Sequence, residues 1–239
     1  RVAGGGPGTL AAIPETQLMP VPDRLSIVEA GAIPEAGLTA WTNLVAEGGL
    51  QAGESVLVTG ASGGMGSFAV QLARELGSRV IATARGREGL ERLRELGIDA
   101  LVPAGPDLPE RVLEANGGRG VDLVFDLVGG AQLPLHLKTL AERGRLVLVG
   151  LLAGGSVPLE LGLLLVRRLR LIGSVLRYRS RAEKAELIRA FSDFALPRLA
   201  DGRLRPVVGK VVPFADVAQA YADLAAGSAN GKIVLQMGG

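Results

Sequence analysis

The chain has 239 residues, 48% hydrophobic and 21% charged, which suits one large domain, or one and a part, with a sizeable core. It has no cysteine and a single histidine, His136, which excludes disulfides and thiolate zinc sites and argues against a zinc centre built by this chain. The formal net charge of +2 comes from scattered arginine, and aromatics are only 3%, so nucleic acid is not an expected partner; the apolar run 159–166 is too short for a bilayer and no charged-then-apolar leader opens the chain, so no membrane partner is expected and the default location is cytoplasmic.

The chain opens on Arg1-Val2-Ala3-Gly4-Gly5-Gly6-Pro7-Gly8, which reads as the middle of a domain. Residues 19–23 form an extended linker, because each proline restricts the residue before it. Ser26 and Glu29 have capping-box spacing and start a helix. A second helix holds residues 38–44.

Residues 55–58 are an apolar run that enters Thr59-Gly60-Ala61-Ser62-Gly63-Gly64-Met65-Gly66, and Met65, Ala69, Leu72, Ala73 and Leu76 then recur at helical spacing. This is strand, glycine turn and helix, a turn in which bare backbone N–H groups and a helix N-terminus can face a pyrophosphate. Glycine turns also occur for structural reasons alone. A second strand over 79–84, following directly, supplies the context that assigns this one to dinucleotide binding.

The alternation continues with a helix over 89–96, a strand over 100–102, a helix over 108–115, a strand over 121–126, a helix over 132–142 and a strand over 144–150. A helix through Leu164 and a sixth strand over 170–176 complete the series. Continuous apolar strands separated by amphipathic helices define an α/β fold, a doubly wound parallel Rossmann sheet with its ligand at the C-terminal edge of the strands. The tail reads as a helix over 182–199, a strand-like stretch over 204–214, a helix over 216–226 and a last strand over 230–235 that need not join that sheet. Asp126 is read as structural and His136 as an exposed helix residue.

The succession of Ile33-Pro34-Glu35-Ala36-Gly37-Leu38-Thr39-Ala40-Trp41, the glycine turn, Val124-Phe125-Asp126-Leu127-Val128-Gly129-Gly130 and Asn230-Gly231-Lys232-Ile233-Val234-Leu235 resembles the medium-chain dehydrogenase/reductase superfamily. Its zinc-free quinone oxidoreductase branch fits best. Leu171-Ile172-Gly173-Ser174-Val175-Leu176-Arg177-Tyr178-Arg179-Ser180-Arg181 resembles the p53-inducible quinone oxidoreductase type. The resemblance implies a GroES-like, β-rich catalytic domain in two sequence parts, 1–33 and 200–239, flanking a Rossmann domain over 34–199. It also implies that most of the N-terminal part of that catalytic domain, and with it much of one substrate-cleft wall, is missing here.

The turn also satisfies the Thr-Gly-x-x-x-Gly-x-Gly pattern of short-chain dehydrogenases. Their chemistry needs a tyrosine followed four residues on by a lysine, which lowers the phenol's pKa. Here Tyr178 is followed at that offset by Ala182 and Tyr221 by Ala225.

The end of the second strand decides between cofactors, because an acid there binds the ribose of NAD. This chain has Thr83-Ala84-Arg85-Gly86-Arg87 instead, and a guanidinium can pair with a 2′-phosphate, so NADP(H) is favoured over a reading of Arg85 and Arg87 as a solvated loop. The family's lysine and tyrosine phosphate contacts fall at Gly89 and Ala104. By resemblance, Ser62, Gly63, Gly64, Met65 and Gly66 face the pyrophosphate. Thr39 approaches the nicotinamide end, Gly130 follows the fourth strand, and Leu148, Val149, Gly150 and Leu151 end the fifth. Ser174, Val175 and Leu176 meet the carboxamide, and Asn230 and Lys232 close the cofactor side, although a helix hydroxyl bonded to its own backbone explains Thr39 equally well and an Asn-Gly turn explains Asn230 and Lys232 nearly as well.

The implied reaction is direct hydride transfer from nicotinamide to a quinone or similar electron-poor acceptor, with no catalytic residue named. An enoyl-thioester reductase and a non-catalytic NADPH-binding module stay open. A homodimer is expected through edge pairing of the sixth strand, whose apolar 169–176 stretch would otherwise be an exposed edge.

Overall fold

The computed structural model describes residues 11–84, 86–227 and 229–237, and the side chains of all of these but 86–88 and 92. After a 3-10 turn over Glu15–Gln17 come two helices, α1 (Ile27–Gly31) and α2 (Ile33–Trp41). Ser26 caps α1 as its spacing requires: its hydroxyl accepts from the Glu29 amide at 3.2 Å while the Glu29 carboxylate accepts from the Ser26 amide at 2.9 Å. α2 runs on as a π-helix over Thr42–Glu47.

β1 (Ser55–Val58) then enters the glycine turn and α3 (Gly64–Glu75). It is followed in alternation by β2 (Arg79–Ala84), α4 (Gly86–Arg94), β3 (Ala100–Pro103), α5 (Leu108–Ala115), β4 (Val121–Asp126), α6 (Leu133–Lys138), β5 (Leu140–Leu148), α7 (Leu161–Arg167) and β6 (Arg170–Gly173). The six strands form one sheet in the order β3-β2-β1-β4-β5-β6, and every pairing is parallel. The order reverses between β1 and β4, which opens a crevice above their C-terminal ends.

Both faces of the sheet are covered, and side-chain alternation assigns each strand residue to one core or the other. Val56, Val58, Leu123, Phe125 and Val147 pack with Trp41, Phe68 and Phe191 on one face. Leu57, Ile81, Val124 and Leu146 pack with Leu108, Val112, Leu133 and Leu137 on the other. On the first face Trp41 meets Phe191 edge-on at 6.2 Å between centroids and Phe194 at 5.2 Å. At the N-terminal end of the sheet the buried Arg145 clamps the loop before β1. It donates to both carboxylate oxygens of Glu54 and to the carbonyls of Gly48, Gly49 and Asp122.

The tail adds α8 (Arg181–Ala200), β7 (Val208–Pro213), α9 (Val217–Ala225) and β8 (Lys232–Gln236). β7 and β8 pair in parallel as a separate two-stranded sheet.

Several boundaries depart from the sequence reading. The helix expected to reach Glu142 stops at Lys138, where the Thr139 hydroxyl donates to the His136 carbonyl at 2.7 Å, and the chain turns straight into β5 at Leu140 beside Val121. The sixth strand ends at Gly173, not 176, because its partner β5 ends at Leu148, opposite Gly173. The strand-like stretch 204–214 narrows to β7. His136, expected on an exposed helix face, is 3% exposed, since α6 lays Leu133 and Leu137 on the sheet and turns the imidazole towards the end of β4.

Candidate functional site

Fingerprint residues and strand ends converge on the C-terminal edge of the sheet. The turn after β1 is tied to its neighbours on both sides: the Thr59 amide donates to the Phe125 carbonyl at 3.1 Å and the Ala61 amide to the Thr83 carbonyl at 2.9 Å. Gly60 has φ of 60°, a conformation that favours glycine. Gly66 lets α3 close on the turn, since a Cβ there would lie 2.5 Å from Ala61 Cα and 2.7 Å from the Gly60 carbonyl oxygen. Gly63 caps α3 with no side-chain bond, and no acid stands in the first turn, so the helix presents its amide end uncompensated. This cradle fits an anionic pyrophosphate.

Asp126, wholly buried at the end of β4, joins the loops above the sheet. Its Oδ1 accepts from the Thr59 hydroxyl at 2.9 Å, the Val128 amide at 2.9 Å and the Gly129 amide at 3.1 Å, and its Oδ2 accepts from His136 Nδ1 at 2.9 Å. Its backbone carbonyl accepts from Val149 at 2.8 Å and Gly150 at 3.2 Å. Burial alone would raise the carboxyl's pKa, but the His136 hydrogen bond and charge, with the Gly129 and Val128 amides, outweigh it and hold the group below its ordinary value. An ionised carboxylate only accepts, so Nδ1 of His136 is the donor.

Of the residues expected to hold a cofactor, Leu148, Val149 and Gly150 meet this hub directly. Gly60 lies against Val128 and Leu127, and Gly129, at φ of 57°, lies so close to the Gly150 carbonyl that a Cβ would be 2.6 Å from its oxygen. Gly130, buried at φ of 51°, packs on Ala153. Leu148, Val149 and Gly150 are half-buried and Leu151 is exposed. The Ser174 amide donates to the Leu148 carbonyl at 3.2 Å, and the Ser174 hydroxyl is buried without a hydrogen-bond partner among the described residues. Val175 is exposed and Leu176 leans on the core. Thr39 is buried within α2, where its carbonyl accepts from the Asn43 side chain at 2.7 Å.

Ser62 is half-buried and touches Gly89, where a Cβ would meet Ser62 and Ala84 at 3.3 Å; Met65 packs on the core. The carbonyl of Asn230 lies against Gly209, and Gly231 has φ of 124°, a conformation that favours glycine. Lys232 is seated on Gly64 and its ammonium is paired with Glu35. Arg85 and the Arg87 side chain lie outside the described residues. Sequence reading missed the role of His136 and Thr59 around Asp126, whose partners are separated by 67 and 10 positions and share no local pattern. Among the described residues no group of three or more His, Cys, Asp or Glu side chains is placed to hold a metal ion, and no helix is long and apolar enough to cross a membrane.

A parallel sheet of this order, with an uncapped glycine turn at its switch point, defines an α/β protein of the dinucleotide-binding class. The family model for zinc-binding dehydrogenases matches residues 64–193. The chain is 39% identical over 144 residues to prostaglandin reductase-3 of Bos taurus, covering 58% of this chain and 38% of that protein. It superposes on an NAD-dependent alcohol dehydrogenase with a TM-score of 0.84 at 35% identity, covering 95% of this chain and 63% of that one. On the quinone oxidoreductase of Thermus thermophilus, also solved in complex with NADPH, the TM-score is 0.82 at 36% identity, covering 94% of this chain and 71% of the other. The chain belongs to the zinc-binding dehydrogenase family, within the medium-chain dehydrogenase/reductase superfamily. It spans 38% of the length of its curated bovine relative.

Proposed function

We propose that this chain carries the nucleotide site of an NADPH-dependent reductase that passes hydride, without a metal, to quinones or similar electron-poor conjugated acceptors. The single observation behind the nucleotide is the uncapped glycine turn at the switch point, with its helix amides turned to the crevice. NADPH over NADH is supported by the absence of any carboxylate in Thr83-Ala84-Arg85-Gly86-Arg87, and by the likeness to an oxidoreductase solved with NADPH. The metal-free part rests on composition: there is no cysteine, and the one histidine is engaged by Asp126.

In this reading Ser62, Gly63, Gly64, Met65 and Gly66 cradle the pyrophosphate, Arg85 and Arg87 take the 2′-phosphate, and Asn230 and Lys232 close the site from the tail. Thr39, Gly130, Leu148, Val149, Gly150, Leu151, Ser174, Val175 and Leu176 border the nicotinamide end, where the Ser174 hydroxyl, without a hydrogen-bond partner among the described residues, suits an amide. The nicotinamide would supply the hydride; the chain's own part is to orient the ring and exclude water, while the reduced acceptor oxygens take protons from solvent. Residues 34–199 form the dinucleotide-binding domain, and 1–33 and 200–239 belong to a GroES-like catalytic domain. Two copies pair through β6, whose Leu171 is 39% exposed; on α7, Leu165 and Val166 are also exposed.

The test is equilibrium binding of NADPH and NADH to this polypeptide and to the double variant Arg85→Ala, Arg87→Ala. Tighter NADPH binding that the double substitution abolishes is the expected result; equal binding of both nucleotides by the unchanged chain would remove the NADPH assignment. Turnover by the full-length gene product with a quinone and with an enoyl thioester then separates the two acceptor classes.

A further inference from the structure

One residue bonds to the segments that follow β1, β4 and β5 at the crevice. Through its side chain Asp126 holds Thr59, directly before the glycine turn, and the amides of Val128 and Gly129; through its carbonyl it holds Val149 and Gly150. The Leu127 amide in turn donates to the Thr59 hydroxyl at 3.0 Å, which closes the ring of bonds. These segments also meet by direct contact, at Gly60 against Val128 and at Gly129 and Gly150 against each other's loops, with no room for a Cβ at Gly129 or Gly150. A shift of the Asp126 carboxylate therefore cannot be absorbed locally and must move the turn and both loops together.

Three of the four side-chain bonds to that carboxylate come from the loops it organises or from Thr59. The fourth comes from outside, from His136 on α6, buried at 3% exposure. Without it Oδ2 would lose the hydrogen bond that fixes it in a water-poor interior, and the carboxylate would turn towards other donors. We infer that His136 is a positioning residue of the nucleotide site, acting through Asp126 to hold the loops after β1, β4 and β5 at the spacing a dinucleotide needs. This rests on the nucleotide reading above.

The shape of the imidazole supplies a discriminating test. An asparagine side chain places its amide nitrogen where Nδ1 stands, whereas glutamine places it near Nε2, so His136→Asn keeps the donor to Asp126 and His136→Gln withdraws it at similar volume and polarity. NADPH dissociation constants are measured for the unchanged chain, H136N, H136Q and H136A, with amide hydrogen exchange at Val128 and Gly129 in nucleotide-free protein. The expected result is near-unchanged affinity and protection in H136N, and affinity about tenfold weaker with lost protection in H136Q and H136A, the size set by one hydrogen bond to a charged group. Equal affinity in H136N and H136Q, whether both tight or both weakened, would overturn the inference. If H136A does not fold, the Asn and Gln pair decides. If the unchanged chain binds no NADPH, the proposed function falls. Exchange at Val128 and Gly129 then still decides whether His136 holds the loop: it is upheld by protection in H136N lost in H136Q, and overturned by protection that does not differ.

Discussion

Gly64, the first residue of the fingerprint helix, lies directly against Lys232 at the start of the last strand: a Cβ on Gly64 would be 2.5 Å from Lys232 Cγ and 2.7 Å from its backbone nitrogen. The tail is thus seated on the helix end that offers its amides to the nucleotide. Gly64→Ala must push the strand pair away, at about 1–3 kcal/mol of stability. Chemical denaturation should report that loss, and nucleotide affinity should fall with it; an unchanged midpoint would mean that β8 yields freely.

Gly37 and Phe191 are a second such pair. A Cβ on Gly37 would be 2.4 Å from Phe191 Cζ, inside the core that Trp41 and Phe68 complete. Gly37→Ala is expected to destabilise by about 1–3 kcal/mol. Adding Phe191→Leu should cost less in that background than in the unchanged chain, because the shorter side chain relieves the overlap, and a double-mutant cycle measures the difference.

Arg145 is 7% exposed at its side chain, and among the described residues Glu54 is its one carboxylate partner, itself 27% exposed. Glu54→Ala leaves a buried guanidinium bonded only to carbonyls. The expected loss is about 3 kcal/mol, read as a fall in thermal or urea midpoint. Glu54→Gln, which keeps an acceptor for one N–H, should lose less.

Acid stability should carry the mark of Asp126. Its folded pKa is lowered from 3.8, so its contribution is full above the ordinary aspartate range and is lost as pH falls through 3.8 towards the folded value. The exposed Asp201 and Glu183 and the half-buried Asp223 and Glu29 are lowered as well, chiefly by hydrogen bonds to Arg203, Ser180, Lys210 and Ser26, and add to the same limb weakly because solvent screens them. Urea midpoints between pH 7 and 3 should fall less steeply for Asp126→Asn than for the unchanged chain, from a lower starting stability. Parallel curves would show that Asp126 does not set the slope.

Where local chemistry decides, residues alone were enough. The largely apolar runs over 55–58, 79–84 and 121–126 appear as β1, β2 and β4 with matching bounds, because a strand buried on both faces must be apolar over most of its length. Ser26 and Glu29 cap α1 for the same local reason, and Ser180 and Glu183, which carry the identical spacing, cap α8. The ends of β5 and β6 were misjudged because pairing with a neighbour, not composition, sets where a strand starts and stops.

The site divides along the same line. By itself the sequence determined the alternating strands and helices, the glycine turn that ends β1, and the missing acid after β2, since each is a matter of periodicity, backbone freedom or charge within a few residues. Only the tertiary structure decided that Asp126 is the hub of the crevice, that His136 is buried to serve it, and that Lys232 rests on Gly64. Those contacts join residues far apart in the chain, and their energy comes from burying hydrogen-bonded and closely packed groups that come together only once the sheet has formed.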